Sequence, residues 1–124
     1  MNYYIVEDHP DMRLVLKLIL QRSFPDLSLA GESETGEQAI EEIPAKMPEL
    51  VLVDISLPGI DGIEVIRRLR PICKDARFIL ITAHEIEHYE QAAREAGADD
   101  IVSKSHTEVL IGKIDSLIHL SAHT

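Results

Sequence analysis

Two stretches, Leu50-Val51-Leu52-Val53-Asp54 and Phe78-Ile79-Leu80-Ile81-Thr82, decide the fold of this chain. Each begins with four apolar residues, which would make both faces of a β-strand apolar, and each ends at a polar residue. Strands of this kind lie in the middle of parallel sheets, where helices cover both faces. The two stretches therefore predict the central strands of an α/β fold.

Three further apolar runs, at residues 3–6, 27–30 and 101–102, predict the remaining strands. An amphipathic stretch follows every strand, so that strands and helices alternate along the whole chain. This alternation with short connections is typical of a doubly wound parallel sheet. By analogy with other domains of this size, we expect a flavodoxin-like strand order of 2-1-3-4-5 with five helices. The expected domain is single and spans residues 1–124.

Residues that favour helix ends mark the five predicted helices. The start signals are Pro10, with His9 left outside the helix, and capping boxes that open at Thr35, Asp61 and Ser105. The second helix is expected to stop at Pro44, because proline cannot donate the next backbone hydrogen bond. An alanine-rich helix is predicted over residues 85–96, and Gly97 is expected to cap its end.

The composition excludes several classes of protein. The chain has 124 residues, 45% of them hydrophobic, and a formal net charge of −10. This acidity argues against direct contact with nucleic acid, whose phosphates are bound by basic patches. The single cysteine, Cys73, excludes an intrachain disulfide and favours a reducing compartment. No signal peptide and no apolar run near about 20 residues is found, so we expect a cytoplasmic protein without membrane contact.

Polar side chains follow four of the five predicted strands. In chain order the residues after these strands are Glu7 and Asp8, then Asp54, then polar Thr82 followed by Ala83 and His84, and finally Lys104. Ligands of open α/β sheets bind outside the carboxyl ends of the strands, so we expect these residues to share one edge. The residues after the second strand, at positions 31–33, are interpreted as an ordinary loop.

The expected carboxylates at this edge favour a bound cation. Two of them about 5 Å apart repel each other by roughly 3 kcal/mol at an effective dielectric near 20. A Mg²⁺ ion removes this repulsion, keeps several of its waters and bridges readily to phosphate oxygens. Lys104 adds a positive charge and Thr82 adds a hydroxyl donor. Together these groups are typical of a site that binds a phosphoryl group.

Five segments that include these positions resemble the receiver domain of two-component response regulators. They are residues 6–10, 52–62, 81–83, 96–99 and 103–104. The first two segments are similar to the NarL/FixJ-type subfamily, whose members usually carry a C-terminal helix-turn-helix domain. The resemblance implies a phosphoacceptor domain that receives its phosphoryl group from a sensor histidine kinase. It also implies a homodimer formed on phosphorylation and DNA contact only through an output domain beyond Thr124.

The resemblance gives each residue at the sheet edge a role. Asp54 would be the phosphoacceptor. The ligands of Mg²⁺ would be Glu7, Asp8, Asp54 and the backbone carbonyl of Ser56. The phosphoryl-binding and switch residues would be Thr82, Ala83 and Lys104. His84 would modulate the lifetime of the phosphoryl group, because it is expected to flank the path of the attacking water.

Two positions depart from the family pattern. Ile101 stands where the family commonly has an aromatic residue that is coupled to the threonine as a switch, so Ile101 is expected to modulate switching. Ser105 follows the lysine where the family often has a proline after a cis bond, and a cis bond before a non-proline residue costs about 3 kcal/mol. Both departures concern the switch and leave the phosphorylation chemistry intact.

Other readings remain open from the sequence. His84-Glu85-Ile86-Glu87-His88 matches the H-E-x-x-H helix of zinc metalloproteases, with Glu108 as a candidate third ligand, but the motif directly follows a buried strand and charged Glu87 stands where such helices are normally apolar. A Mg²⁺-dependent phosphatase would use Asp54 as nucleophile, although Ser56 occupies the position of its usual second carboxylate. A phosphorylation-independent scaffold is the third alternative. Binding of beryllofluoride with Mg²⁺ separates a receiver from a scaffold.

Overall fold

Five parallel strands form one sheet in the order β2-β1-β3-β4-β5, which confirms the predicted topology. The computed structural model describes residues 1–83 and 85–122. The strands are β1 Asn2–Val6, β2 Ser28–Ser33, β3 Leu50–Asp54, β4 Arg77–Thr82 and β5 Asp100–Ser103. The helices are α1 Pro10–Ser23, α2 Gly36–Lys46, α3 Gly62–Leu69, α4 Glu90–Ala96 and α5 Thr107–Ala122. No helix of the described residues is both long and apolar enough to cross a bilayer.

The two faces of the sheet carry separate hydrophobic cores. Alternate residues of each strand point to opposite faces, so Val51 and Val53 of β3 pack on one side and Leu50 and Leu52 on the other. The first core includes side chains of α2, α3 and α4, and the second includes those of α1 and α5. All of β3 is buried. This double cover explains why the buried stretches of the two central strands, residues 50–53 and 78–81, are apolar throughout.

The second helix continues through Pro44, so the prediction that it stops there was wrong. α2 ends at Lys46, and Met47 closes it in the left-handed conformation with φ of 47°. The amide of Met47 donates to the Ile43 carbonyl at 2.9 Å. Because Pro44 lies in the last turn, its missing N–H leaves only the Ile40 carbonyl without its helical donor.

Helix α4 begins at Glu90, and the prediction of a helix from residue 85 was therefore wrong. Residues Ile86–His88 form a single 3₁₀ turn, and Tyr89 then leaves the helical region with φ of −121° and ψ of −7°. The alanine-rich part alone is α-helical, since alanine has the highest helix propensity. Gly97 ends α4 with φ of 108°, as the sequence predicted.

Two further boundaries differ from the sequence expectation. Residues 31–33 belong to β2, where they pair with Tyr4, Ile5 and Val6, so the loop predicted there was wrong. A bulge opposite Tyr3 and Tyr4 shifts the register and lets this edge strand continue. Helix α5 begins at Thr107, one residue later than a cap at Ser105 requires. Strands at the sheet edge and helix ends depend on contacts that local patterning does not record.

Gly62, the first residue of α3, lets that helix approach the carboxyl end of β3. A Cβ at this position would overlap the carbonyl oxygen of Asp54 and lie 2.9 Å from Ile55 Cα. We expect Gly62→Ala to lower the free energy of unfolding by about 1–3 kcal/mol, because backbone atoms cannot yield as a flexible side chain does. Urea unfolding measures this loss.

Gly112 provides the matched control for this substitution. It lies in α5, where an added Cβ would meet no described atom within 4 Å apart from its chain neighbours and the backbone of its own helix. Gly112→Ala should raise the free energy of unfolding by about 0.5–1 kcal/mol, since alanine is the better helix former. Equal effects of the two alanines would contradict the close approach of α3 to β3.

Candidate functional site

The carboxyl edge of the sheet brings the predicted polar residues together. Glu7 follows β1, Asp54 ends β3 and Thr82 ends β4, and these three residues are only 1%, 2% and 0% exposed. Asp8 is partly exposed beside Glu7, and Lys104 reaches inward from the residue after β5. Burial of three polar side chains at one point indicates a site, because polar groups are seldom buried without a function or a partner.

Lys104 bridges the two buried carboxylates. Its Nζ lies 2.7 Å from Glu7 Oε1 and 3.1 Å from Asp54 Oδ2. One ammonium therefore faces two carboxylates, and the inner site holds more negative than positive charge. This excess of negative charge is the electrostatic condition that favours a cation.

Backbone hydrogen bonds fix the loops that carry these side chains. The Lys104 amide donates to the Thr82 carbonyl at 2.8 Å and holds the end of β5 against β4. The Ser56 amide donates to Asp54 Oδ1 at 3.2 Å, and Arg13 donates to the Glu7 carbonyl at 2.7 Å. The carboxylates are thus held in place by their neighbours before any ligand arrives.

The buried carboxylates titrate in opposite directions. Burial, together with the neighbouring Glu7, raises the pKa of Asp54 to about 6 against the opposing effect of Lys104. Burial also raises the pKa of Glu7, but hydrogen bonds from Lys104 and Asp54 outweigh it and leave that pKa below its ordinary value. Burial lowers the pKa of Lys104, but its two carboxylate partners raise it overall. The metal-free site therefore favours one shared proton, held by Asp54.

This proton gives the metal-free protein a defined pH dependence. Folded Asp54 keeps its proton up to about pH 6, whereas the unfolded chain releases it near 3.8. The folded state thus binds more protons in this interval, and the Asp54 contribution to stability falls as the pH rises from about 4 to about 6. We expect the free energy of unfolding of Asp54→Asn to exceed that of the wild type by about 1–3 kcal/mol above pH 6 and to equal it near pH 4.

Urea unfolding of both proteins in EDTA, at several pH values, measures this difference. The other carboxylates are common to the two proteins, so the difference between their free energies of unfolding reports on Asp54 alone. The same difference in free energy of unfolding at pH 4 and at pH 7 would contradict the raised pKa of Asp54.

His9 is a member of the site that the sequence analysis did not assign. Oxygen or nitrogen atoms of Glu7, Asp8, His9 and Asp54 all lie within 4.8 Å of one another. The sequence placed His9 only as the residue before α1, since a single histidine beside a helix start gives no signal of ligation. Its position directly after the two acids Glu7 and Asp8 is the sequence feature that could have indicated its place in this cluster.

This cluster fits a divalent cation. Asp8 Oδ1 is buried beside His9 Nδ1 and accepts no well-formed hydrogen bond from the described residues, so it is available as a ligand atom. Glu7 and Asp54 add carboxylate oxygens, the donors that hard cations such as Mg²⁺ prefer.

The remaining predicted residues lie around this centre. Ser56 and Ala83 are exposed on the loops that follow β3 and β4, at the mouth of the site. Ile101 is 6% exposed and belongs to the same hydrophobic core as Ala93 and Ala96 of α4. His84 lies outside the described residues.

The H-E-x-x-H segment lacks the geometry of a zinc protease in the part that the structure describes, in agreement with the arguments from sequence against that function. That motif requires two histidines one turn apart on an α-helix. Ile86–His88 form only a 3₁₀ turn, and the α-helix begins beyond them at Glu90. Among the described residues, the side chains placed close enough to hold a metal ion are instead those of Glu7, Asp8, His9 and Asp54.

Comparisons with known proteins agree with this architecture. A family model described as the response regulator receiver domain matches residues 4–115. The nitrate/nitrite response regulator protein NarL of Escherichia coli K12 is 31% identical over 100 residues, which cover 81% of this chain and 46% of that protein. The transcriptional activator protein ExaE of Pseudomonas putida is 32% identical over 111 residues, which cover 90% of this chain and 51% of that protein. The chain spans about half the length of these curated relatives.

Two solved structures show the same similarity in three dimensions. A LuxR-family two-component response regulator from Aurantimonas sp. SI85-9A1 superposes with a TM-score of 0.88 at 28% identity, covering 95% of this chain and 84% of that one. The signal receiver domain of NarL from Mycobacterium tuberculosis superposes with a TM-score of 0.83 at 28% identity, and the match covers 94% of each chain.

Proposed function

The chain belongs to the response regulator receiver domain family, of the NarL/LuxR type in two-component signalling, and we propose that it accepts a phosphoryl group on Asp54. The phosphoryl donor would be the phosphohistidine of a sensor kinase, and the transfer would depend on Mg²⁺. The observation that carries this proposal is the buried Asp54 carboxylate, which ends the central strand between Lys104 and the acidic cluster.

The metal would be held by Glu7, Asp8, Asp54 and the backbone carbonyl of Ser56. When bound, Mg²⁺ supplies positive charge against the oxygens of the transferred group. In the transfer, a carboxylate oxygen of Asp54 attacks phosphorus while the nitrogen–phosphorus bond of the donor breaks. The electron pair of that bond stays on the donor imidazole, which then takes up a proton.

Lys104 and Thr82 would bind the product. Lys104 already contacts Asp54 Oδ2 at 3.1 Å, so its ammonium needs to move little to reach a phosphoryl oxygen. Thr82 ends the neighbouring strand β4, and the Ala83 amide follows it on the exposed loop. The Lys104 amide donates a hydrogen bond to the Thr82 carbonyl. A movement of the end of β4 would therefore also move the end of β5. Ile101 and His84 are proposed to modulate this switch and the lifetime of the phosphoryl group.

The output of the switch is proposed from the relatives. NarL is named as a response regulator and ExaE as a transcriptional activator, and the matched residues cover 46% and 51% of these longer proteins. We propose a cytoplasmic signalling domain, not a turnover enzyme, which forms a homodimer on phosphorylation and controls a DNA-binding output domain. The net charge of −10 suits a domain that does not itself contact DNA.

Labelling with a small acyl phosphate tests the proposed function. Intact-mass measurement of the wild type should show one added phosphoryl group in Mg²⁺ and none in EDTA. Asp8→Ala should slow the labelling at subsaturating Mg²⁺ by more than about tenfold, because the metal loses a charged ligand. Labelling at the same rate in EDTA would overturn the Mg²⁺-dependent mechanism.

A further inference from the structure

The imidazole of His9 faces the acidic cluster instead of capping its helix. His9 is the N-cap residue of α1, yet its side chain makes no capping hydrogen bond within the described part of the chain. Its Nδ1 lies 3.1 Å from Asp8 Oδ1 and 3.3 Å from Glu7 Oε2. The His9 amide also donates to Glu7 Oε2 at 3.2 Å, which holds the residue beside this carboxylate.

The two oxygens of Glu7 serve different partners. Oε1 faces Lys104 Nζ at 2.7 Å, and Oε2 faces His9. Lys104 therefore occupies the phosphoryl side of the carboxylate, and His9 lies on the other side, beside Asp8. A cation that binds between Glu7 and Asp8 has the imidazole as a direct neighbour and the ammonium as a more distant one.

The spacing of these atoms suits ligands of one metal ion. Two donors about 2.1 Å from an ion, at angles of about 90–110°, are separated by roughly 3.0–3.4 Å. The distances of 3.1 and 3.3 Å from His9 Nδ1 to the two carboxylates, which are hydrogen-bond and ion-pair contacts without a metal, also fall in this range. The His9 side chain is 69% exposed, so its ring can adjust without disturbing the core.

We propose that His9 supplies a nitrogen ligand and makes this a mixed nitrogen–oxygen site that binds first-row transition ions such as Co²⁺. The inference rests on the metal site of the proposed function and extends it to a second class of ion. Imidazole is a good ligand for these ions, whereas Mg²⁺ takes oxygen donors. The two ions share Glu7 and Asp8, so each excludes the other.

Separate titrations with Mg²⁺ and Co²⁺ distinguish His9 from the acids. In the wild type, Mg²⁺ should compete with Co²⁺ for a single site. His9→Ala should weaken Co²⁺ binding by at least about tenfold and change Mg²⁺ affinity by less than about threefold. The visible absorption of bound Co²⁺ should move to longer wavelength in this variant, because a carboxylate or water oxygen is a weaker-field ligand than imidazole.

His88→Ala is the matched control, since His88 is equally exposed at 69% and lies on the 3₁₀ turn outside the acidic cluster. It should leave the affinity of both ions unchanged. Equal Co²⁺ affinity in His9→Ala and wild type, or a loss that follows His88→Ala instead, overturns the role of His9 while Mg²⁺ binding still supports the proposed function. Failure of the wild type to bind Mg²⁺ at all overturns the metal site itself.

Discussion

Asp54→Asn is expected to abolish incorporation of a phosphoryl group from acetyl phosphate in Mg²⁺, a loss of at least about 100-fold in initial rate. The amide lacks the charged oxygen that attacks phosphorus, and asparagine cannot form an acyl phosphate by simple transfer. The substitution preserves the shape of a side chain that is 2% exposed, so the fold is retained. Intact-mass measurement over time follows the rate for both proteins.

Asp75→Asn is the control for the loss of an aspartate. Asp75 is exposed between α3 and β4, near the amino end of the strands and far from the site. The Asp75→Asn variant should be labelled as fast as the wild type. Undiminished labelling of Asp54→Asn would contradict the assignment of Asp54 as acceptor.

Lys104→Met is expected to lower the free energy of unfolding of the metal-free protein by about 2–4 kcal/mol near pH 8. The lysine is the cation shared by Glu7 and Asp54, and its removal leaves two buried carboxylates facing each other. Breaking a buried ion pair costs several kcal/mol, part of which a shared proton offsets. Saturating Mg²⁺ should reduce the deficit, because the metal replaces the missing charge.

Lys113→Met separates this effect from the general loss of a lysine. Lys113 pairs with Asp100 at 3.3 Å, but its side chain is 44% exposed and the pair is screened by solvent. Its substitution should change the free energy of unfolding by less than about 0.5 kcal/mol. Urea unfolding in EDTA compares the two variants, and equal losses would show that the buried carboxylates do not depend on Lys104.

The central part of the fold and most of the site could be predicted from the sequence. The apolar runs that end at Asp54 and Thr82 identify buried parallel strands, because only a doubly covered strand is apolar on both faces. The carboxyl ends of such strands share one edge, so polar residues that follow them must meet. Glu7 and Lys104 follow the first and the last strand of the chain, and they meet at this edge with 2.7 Å between Glu7 Oε1 and Lys104 Nζ.

The features that sequence reasoning missed depend on tertiary contacts. β2 is an edge strand, and its last residues, Gly31-Glu32-Ser33, include no apolar side chain, so only their pairing with β1 identifies them as strand. Pro44 is tolerated because the helix closes at Met47 soon after it. His9 joins the site through the turn that the β1–α1 connection makes around Glu7, and residue spacing alone does not describe that turn.

Borohydride trapping tests the central claim most directly. The wild type is phosphorylated with acetyl phosphate in Mg²⁺, reduced with borohydride and digested, and the peptides are sequenced by mass spectrometry. Reduction converts an aspartyl phosphate to homoserine, so the account predicts homoserine at position 54 and unmodified acids at positions 7 and 8. Homoserine at another aspartate, with position 54 unchanged in labelled protein, would contradict it.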